Sequence, residues 1–137
     1  MGDKRVGWIA GDDLTAVAAK VLADGPERHG RANHYMSTDV LNGAEVAAIL
    51  SKILGRPITP VVTTPEYLEK AVASGNLTFP VKIEAYYGAS MLEWARQTYD
   101  GRMNYSAVTT DTVATLLGRP PVSLAQWAQR NRNALDG

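Results

Sequence analysis

The tetrapeptide Leu-Gly-Arg-Pro occurs twice, at 54–57 and at 117–120, and each copy closes an apolar helical stripe. A glycine supplies the left-handed residue that ends a helix, and a proline two positions on forbids its continuation. The echo reuses helix-ending chemistry and is not an internal repeat. What lies between such stops is a set of short elements. Val46, Ile49, Leu50, Ile53 and Leu54 form the stripe before the first stop, with Asn42 as cap, Glu45 three residues on to reach back, and Leu41 and Val46 at staple spacing.

The same grammar runs through the chain. Val6–Ala10 is a short apolar run ending at Gly11-Asp12-Asp13, where either carboxylate suits a helix start. Leu14, Val17, Ala18, Val21 and Leu22 then fall on one helix face, closed by Gly25-Pro26. Residues 32–37 read as a strand, and so do residues 58–62, where Pro60 confines the run to a sheet edge. Thr64-Pro65 opens a helix to Gly75, and residues 81–100 read as one long helix. That helix carries too many apolar residues for one stripe and calls for cover on two sides. Val113, Leu116 and Leu117 belong to a further helix; Ser123 with Gln126 caps the last, with Val122 and Trp127 as its staple. The reading is a helix-rich α/β chain of three short strands, about 6–10, 32–37 and 58–62, with five or six helices.

At 137 residues the chain is one domain's worth, residues 1–137, able to bury roughly 70% of its unfolded surface without metal or disulfide. With no cysteine, thiol nucleophiles, iron–sulfur clusters and cysteine-bound zinc are excluded. Fourteen basic residues balance fourteen acidic ones, spread as 7 and 8 over residues 1–68 and 7 and 6 over residues 69–137. That balance leaves no footprint for nucleic acid or an anionic membrane. No apolar run reaches 18 residues and the start lacks a signal-peptide core, so the expected setting is cytoplasmic.

Chemistry is harder to find. Gly7 and Gly11 flank Trp8-Ile9-Ala10, which is neither G-x-G-x-x-G nor a Walker loop, so no dinucleotide cradle is visible and close packing explains both glycines. His29 and His34 have no third ligand at a suitable spacing, which leaves them surface or hydrogen-bonding roles. Tyr67-Leu68-Glu69-Lys70 is one residue short of Tyr-x-x-x-Lys. Tyr86, Tyr87, Met91 and Trp94 lie within about three turns of one helix. They are either core packing or the wall of a pocket for a planar organic ligand.

Several stretches taken in order resemble a known family: Trp8-Ile9-Ala10-Gly11-Asp12-Asp13-Leu14; His29-Gly30-Arg31; Ala44-Glu45-Val46-Ala47-Ala48-Ile49-Leu50; Thr109-Thr110-Asp111; and the two Leu-Gly-Arg-Pro stops with Val122-Ser123-Leu124. The chain resembles the C-terminal half of NmrA-like proteins, atypical relatives of the short-chain dehydrogenases and reductases. Where those relatives carry a Thr-Gly-Pro-Glu-like turn, this chain reads Ser37-Thr38-Asp39-Val40-Leu41-Asn42.

The resemblance implies a nucleotide-binding half upstream, absent here, and a substrate-side lobe within these residues. It further implies that 6–10 and 58–62 form a small parallel pair, with 32–37 at the margin of a larger sheet. NAD(P)H is implied for the full-length family, with no cofactor held by this chain alone and no metal. The expected function is the substrate-binding portion of an NAD(P)H-dependent reductase acting on a small carbonyl or quinone-like compound, inactive in redox chemistry by itself. Tyr86, Tyr87, Met91 and Trp94 would line its substrate side. A small aromatic or carbonyl ligand is the expected partner, together with a second copy or a complementary nucleotide-binding chain to cover exposed edges. Two other readings stand beside this one: a stand-alone ligand-binding or regulatory module, and a small cyclase or isomerase using Tyr86, Tyr87, Glu84 or Glu93 as acids or bases.

Overall fold

A computed structural model describes residues 3–61, 64–74 and 85–136, with the side chains of residues 85 and 86 outside the described set. The first strand, β1, covers Val6–Trp8 and pairs antiparallel with β2, Asp39–Leu41, in the register Val6↔Leu41, Gly7↔Val40 and Trp8↔Asp39. Around this ribbon lie α1 (Gly11–Asp24), α2 (Pro26–His29), α3 (Gly43–Leu54), α4 (Pro65–Ala73), α5 (Ala85–Tyr99), a 3-10 turn at Asn104–Ser106, α6 (Thr112–Leu117), α7 (Leu124–Arg130) and α8 (Arg132–Leu135). The helix-rich α/β class is as expected. The added helices, α2 and α8, are single turns of four residues.

The local signals end the helices where they should. Asn42 accepts from the Glu45 N–H while the Glu45 carboxylate accepts from the Asn42 N–H, each at 2.9 Å, so two orphan donors at the start of α3 are satisfied reciprocally. Ser123 and Gln126 do the same at α7, and the Thr64 hydroxyl accepts from Tyr67 N–H at 3.2 Å at α4. Gly55 and Gly118, the stops after α3 and α6, have φ of 70° and 64°. A side chain there would strain against its own carbonyl.

The strands differ from expectation. Residues 32–37 and the described part of 58–62 are irregular, and the partner of β1 is 39–41, within the stretch that stands where the NmrA-like relatives carry a turn. The parallel pair of 6–10 with 58–62 is therefore replaced by an antiparallel ribbon. Residues 35–38 are bonded to two different neighbours: Thr38 N–H donates to Trp8 O at 2.6 Å, Thr110 N–H to Ser37 O at 2.9 Å, and the Thr112 hydroxyl to Tyr35 O at 2.6 Å. Those bonds hold the segment without a ladder. Val62 lies outside the described residues.

The Asp12-Asp13 pair does not cap α1. Ala10 is the N-cap residue and makes no side-chain bond, Asp12 is exposed, and Asp13 is fully buried. The core gathers Val17 of α1, Val113 of α6, Ala47 and Leu54 of α3, Val122, and Ala128 of α7, with α1 packed on α6 and α3 on α7. Part of the α1 stripe stays uncovered: Leu14, Ala18 and Leu22 are exposed, Leu22 at 81%. On α5, which packs on α4, the buried line is Gly88, Ala95 and Thr98, and the large aromatics flank it. Among the described residues no helix is long and apolar enough to cross a membrane.

Candidate functional site

Among the described residues, β1, the 35–37 segment, α5 and the turn after it enclose an open, mainly apolar cleft of about 890 Å³. Its side chains include Trp8, Tyr35, Trp94 and Tyr105, with Met36 and Val108 between them. Tyr35 is 74% exposed and Tyr105 72%, far more than buried aromatics need to be, so the cleft offers several ring faces to solvent. Gly7 allows the strand to sit this close to its neighbours. A Cβ at Gly7 would lie 2.5 Å from Ser37 Oγ and 3.0 Å from Ser106 O.

Three hydroxyls of the polar lining are engaged locally. Ser106 Oγ donates to Met103 O at 2.6 Å, Ser37 Oγ donates to Asp39 O at 3.4 Å, and Thr110 Oγ1 accepts the Ser37 N–H at 3.1 Å. Among the described residues no charged side chain lines the cleft. A planar, uncharged ring system matches this surface, because ring faces give it dispersion contact and nothing there would neutralise a buried charge.

Of the aromatic cluster singled out in the sequence, Trp94 lines the cleft. Tyr87 is 60% exposed and Met91 half-buried, both one or two turns along the same side of α5. The side chain of Tyr86 lies outside the described residues, as does Glu84. Glu93 stands away from the cleft on exposed surface, accepting from Gln97 Nε2 at 2.8 Å and lying 3.5 Å from Arg102. Sequence reasoning missed Trp8, Tyr35 and Tyr105, because three aromatics in three separate short segments carry no shared period. Their only signal was an aromatic beside turn residues.

A second, smaller pocket of about 360 Å³ lies between the end of β1, the start of α1 and α7, and Trp8 lines both cavities. Beside it two carboxylates hold the 119–124 segment. Asp13 Oδ2 accepts the Val122 N–H and Asp39 Oδ2 the Leu124 N–H, each at 2.6 Å, and Arg119 Nη2 stands 2.7 Å from Asp13 Oδ1.

A pyrophosphate is held by a cation or a glycine-rich turn at a helix N-terminus; α1 begins Gly11-Asp12-Asp13, and among the described residues no cation lines either cavity. His29 and His34 join a surface network instead: His34 Nε2 is 3.2 Å from His29 Nδ1, and His29 Nε2 is 3.3 Å from Asp24 Oδ2. Lys20, hydrogen-bonded to Asp24, holds its carboxyl below its ordinary value, and His29 adds to the effect. Among the described residues no group of three or more His, Asp or Glu could hold a metal ion.

Known proteins supply one further observation. The chain is similar to the NAD(P)H azoreductase of Xenophilus azovorans. The two are 30% identical over 135 residues, which is 98% of this chain and 43% of that enzyme. The chain thus spans less than half the length of the curated relative it matches. No protein-family model matches it, and no solved structure does.

Proposed function

We propose that these residues form the substrate-binding portion of an NAD(P)H-dependent oxidoreductase, with the aromatic cleft as the seat of a planar substrate. The observation that carries the reading is the uncharged cleft lined by Trp8, Tyr35, Trp94 and Tyr105, in a chain similar to part of an azoreductase. The NmrA-like resemblance supports the same assignment. An aromatic azo compound, a quinone or an aryl carbonyl each presents a flat conjugated body to such a surface, and polar substituents would project to solvent through the open side. Tyr87 and Met91, with Tyr86 beside them in sequence, would extend that wall along α5.

The dinucleotide supplies the hydride when bound, and its grip comes from polypeptide outside these residues or from a partner chain. The residues here bind and orient the substrate and strip water from its faces. The exposed line of Leu14, Ala18 and Leu22 on α1 supports a covering partner, either that chain or a second copy.

The test uses 4-hydroxyazobenzene, a neutral planar probe, followed by tryptophan emission. Binding should quench emission, and Trp94→Ala should weaken it by about tenfold, the scale of one lost aromatic contact. Equal affinity in the variant and the parent would refute the assignment. NADPH titrated into the chain alone should give no saturable response; tight binding would contradict the missing grip.

A further inference from the structure

The smaller pocket has a chemistry unlike that of the cleft. Trp8, Ile9, Ala10, Leu124 and Trp127 make it apolar, and Asp39 is the charged side chain in its wall. Asp39 is held from two sides, by its place opposite Trp8 in the β ribbon and by the Leu124 N–H on Oδ2. Its other oxygen, Oδ1, has no hydrogen bond among the described residues.

That arrangement selects a ligand. An anion would meet a carboxylate with no cation in the lining to offset it. A purely apolar molecule would fill the volume but strip water from Oδ1 without replacing its hydrogen bond, a cost that cancels part of the gain from burial. A molecule with an aromatic body and an N–H-bearing end satisfies both parts of the wall: its ring lies against the indoles and its nitrogen donates to Oδ1. A positive charge on that nitrogen adds attraction to the carboxylate and to the indole faces.

We propose that this pocket binds a small arylalkyl amine, its nitrogen donating to Asp39 Oδ1 and its ring packed against Trp8 and Trp127. The pocket's volume of about 360 Å³ suits a one-ring or two-ring molecule. The pocket shares Trp8 with the cleft and no other lining residue, and the assignment does not depend on the reductase reading.

The probe is benzylamine, compared with benzyl alcohol and benzoate, which keep the ring and change only the polar end. Binding is followed by protein-observed NMR, read at the Trp127 indole N–H, and by the joint emission of Trp8 and Trp127 in a Trp94→Phe background. Benzylamine should bind about tenfold more tightly than benzyl alcohol, the advantage of one charge-assisted bond, and benzoate should not bind. Asp39→Asn keeps an acceptor for the Leu124 N–H and should erase the preference for the amine over the alcohol. Equal affinities for amine and alcohol, no binding of benzylamine, or a preference that survives Asp39→Asn would each overturn the proposal. So would loss of the benzylamine response in the Trp94→Phe background, which would move the ligand to the cleft. If Asp39→Asn does not fold, the three-ligand comparison on the unaltered chain decides by itself. Failure of 4-hydroxyazobenzene to bind, by contrast, would bear on the cleft alone.

Discussion

Asp13, fully buried in the first turn of α1, accepts the backbone N–H of Val122 at 2.6 Å across 109 positions of sequence. The same carboxylate lies 2.7 Å from the Arg119 guanidinium, so one side chain joins the start of α1 to the approach to α7. Together with Asp39 on Leu124 N–H, it holds the wall of the smaller pocket.

Removing that carboxylate should be costly. Asp13→Ala leaves the Val122 N–H without its acceptor and opens a small void, for an expected loss of about 2–4 kcal/mol. Asp13→Asn keeps an acceptor and should lose less. Urea unfolding of the two variants measures the difference, and an alanine variant as stable as the parent would show that the bond contributes nothing.

Gly7 sets how closely β1 approaches the rest of the cleft. Gly7→Ala places a Cβ 2.5 Å from Ser37 Oγ and 3.0 Å from the Ser106 carbonyl, and should cost about 1–3 kcal/mol as an overpacked site. Adding Ser37→Gly removes one of the two obstacles, so the double variant should recover part of the loss in thermal melts. No recovery would place the strain wholly at Ser106.

Acid should weaken the molecule through Asp24 and Glu45. A hydrogen bond from Arg5 holds the Glu45 carboxyl below its ordinary 4.5, helped by the Asn42 N–H; Lys20 and His29 hold Asp24 below 3.8. A carboxyl with a lowered value in the folded state contributes stability above its unfolded value and loses it as pH falls through the folded one. Stability should therefore be level above the ordinary carboxylate range and fall below it. Glu45→Gln should flatten part of that fall in unfolding curves taken across acid pH.

Association should depend on α1. Leu14 and Leu22, 46% and 81% exposed, lie on one line with Ala18 between them. If a second copy covers that line, light scattering at tens of micromolar will give a mass above 14.8 kDa, and Leu14→Lys with Leu22→Lys will restore the monomer. A monomer before and after substitution would leave the nucleotide-binding chain as the partner to seek.

Helix ends were written locally in the amino-acid sequence. Asn42 with Glu45, Ser123 with Gln126, Thr64, Gly55 and Gly118 each act within a few residues of the backbone they satisfy, so their chemistry is the same in any fold. Periodicity likewise placed Trp94 and its neighbours on one helix. Pairing across distance was another matter. Whether β1 takes 39–41 or 58–62 depends on which backbone reaches it, and Asp13 looked like a helix cap until the fold brought Val122 to it. The cleft is the same kind of fact: Trp8, Tyr35, Trp94 and Tyr105 come from four segments with no common period, and only the packing of those segments makes them one surface.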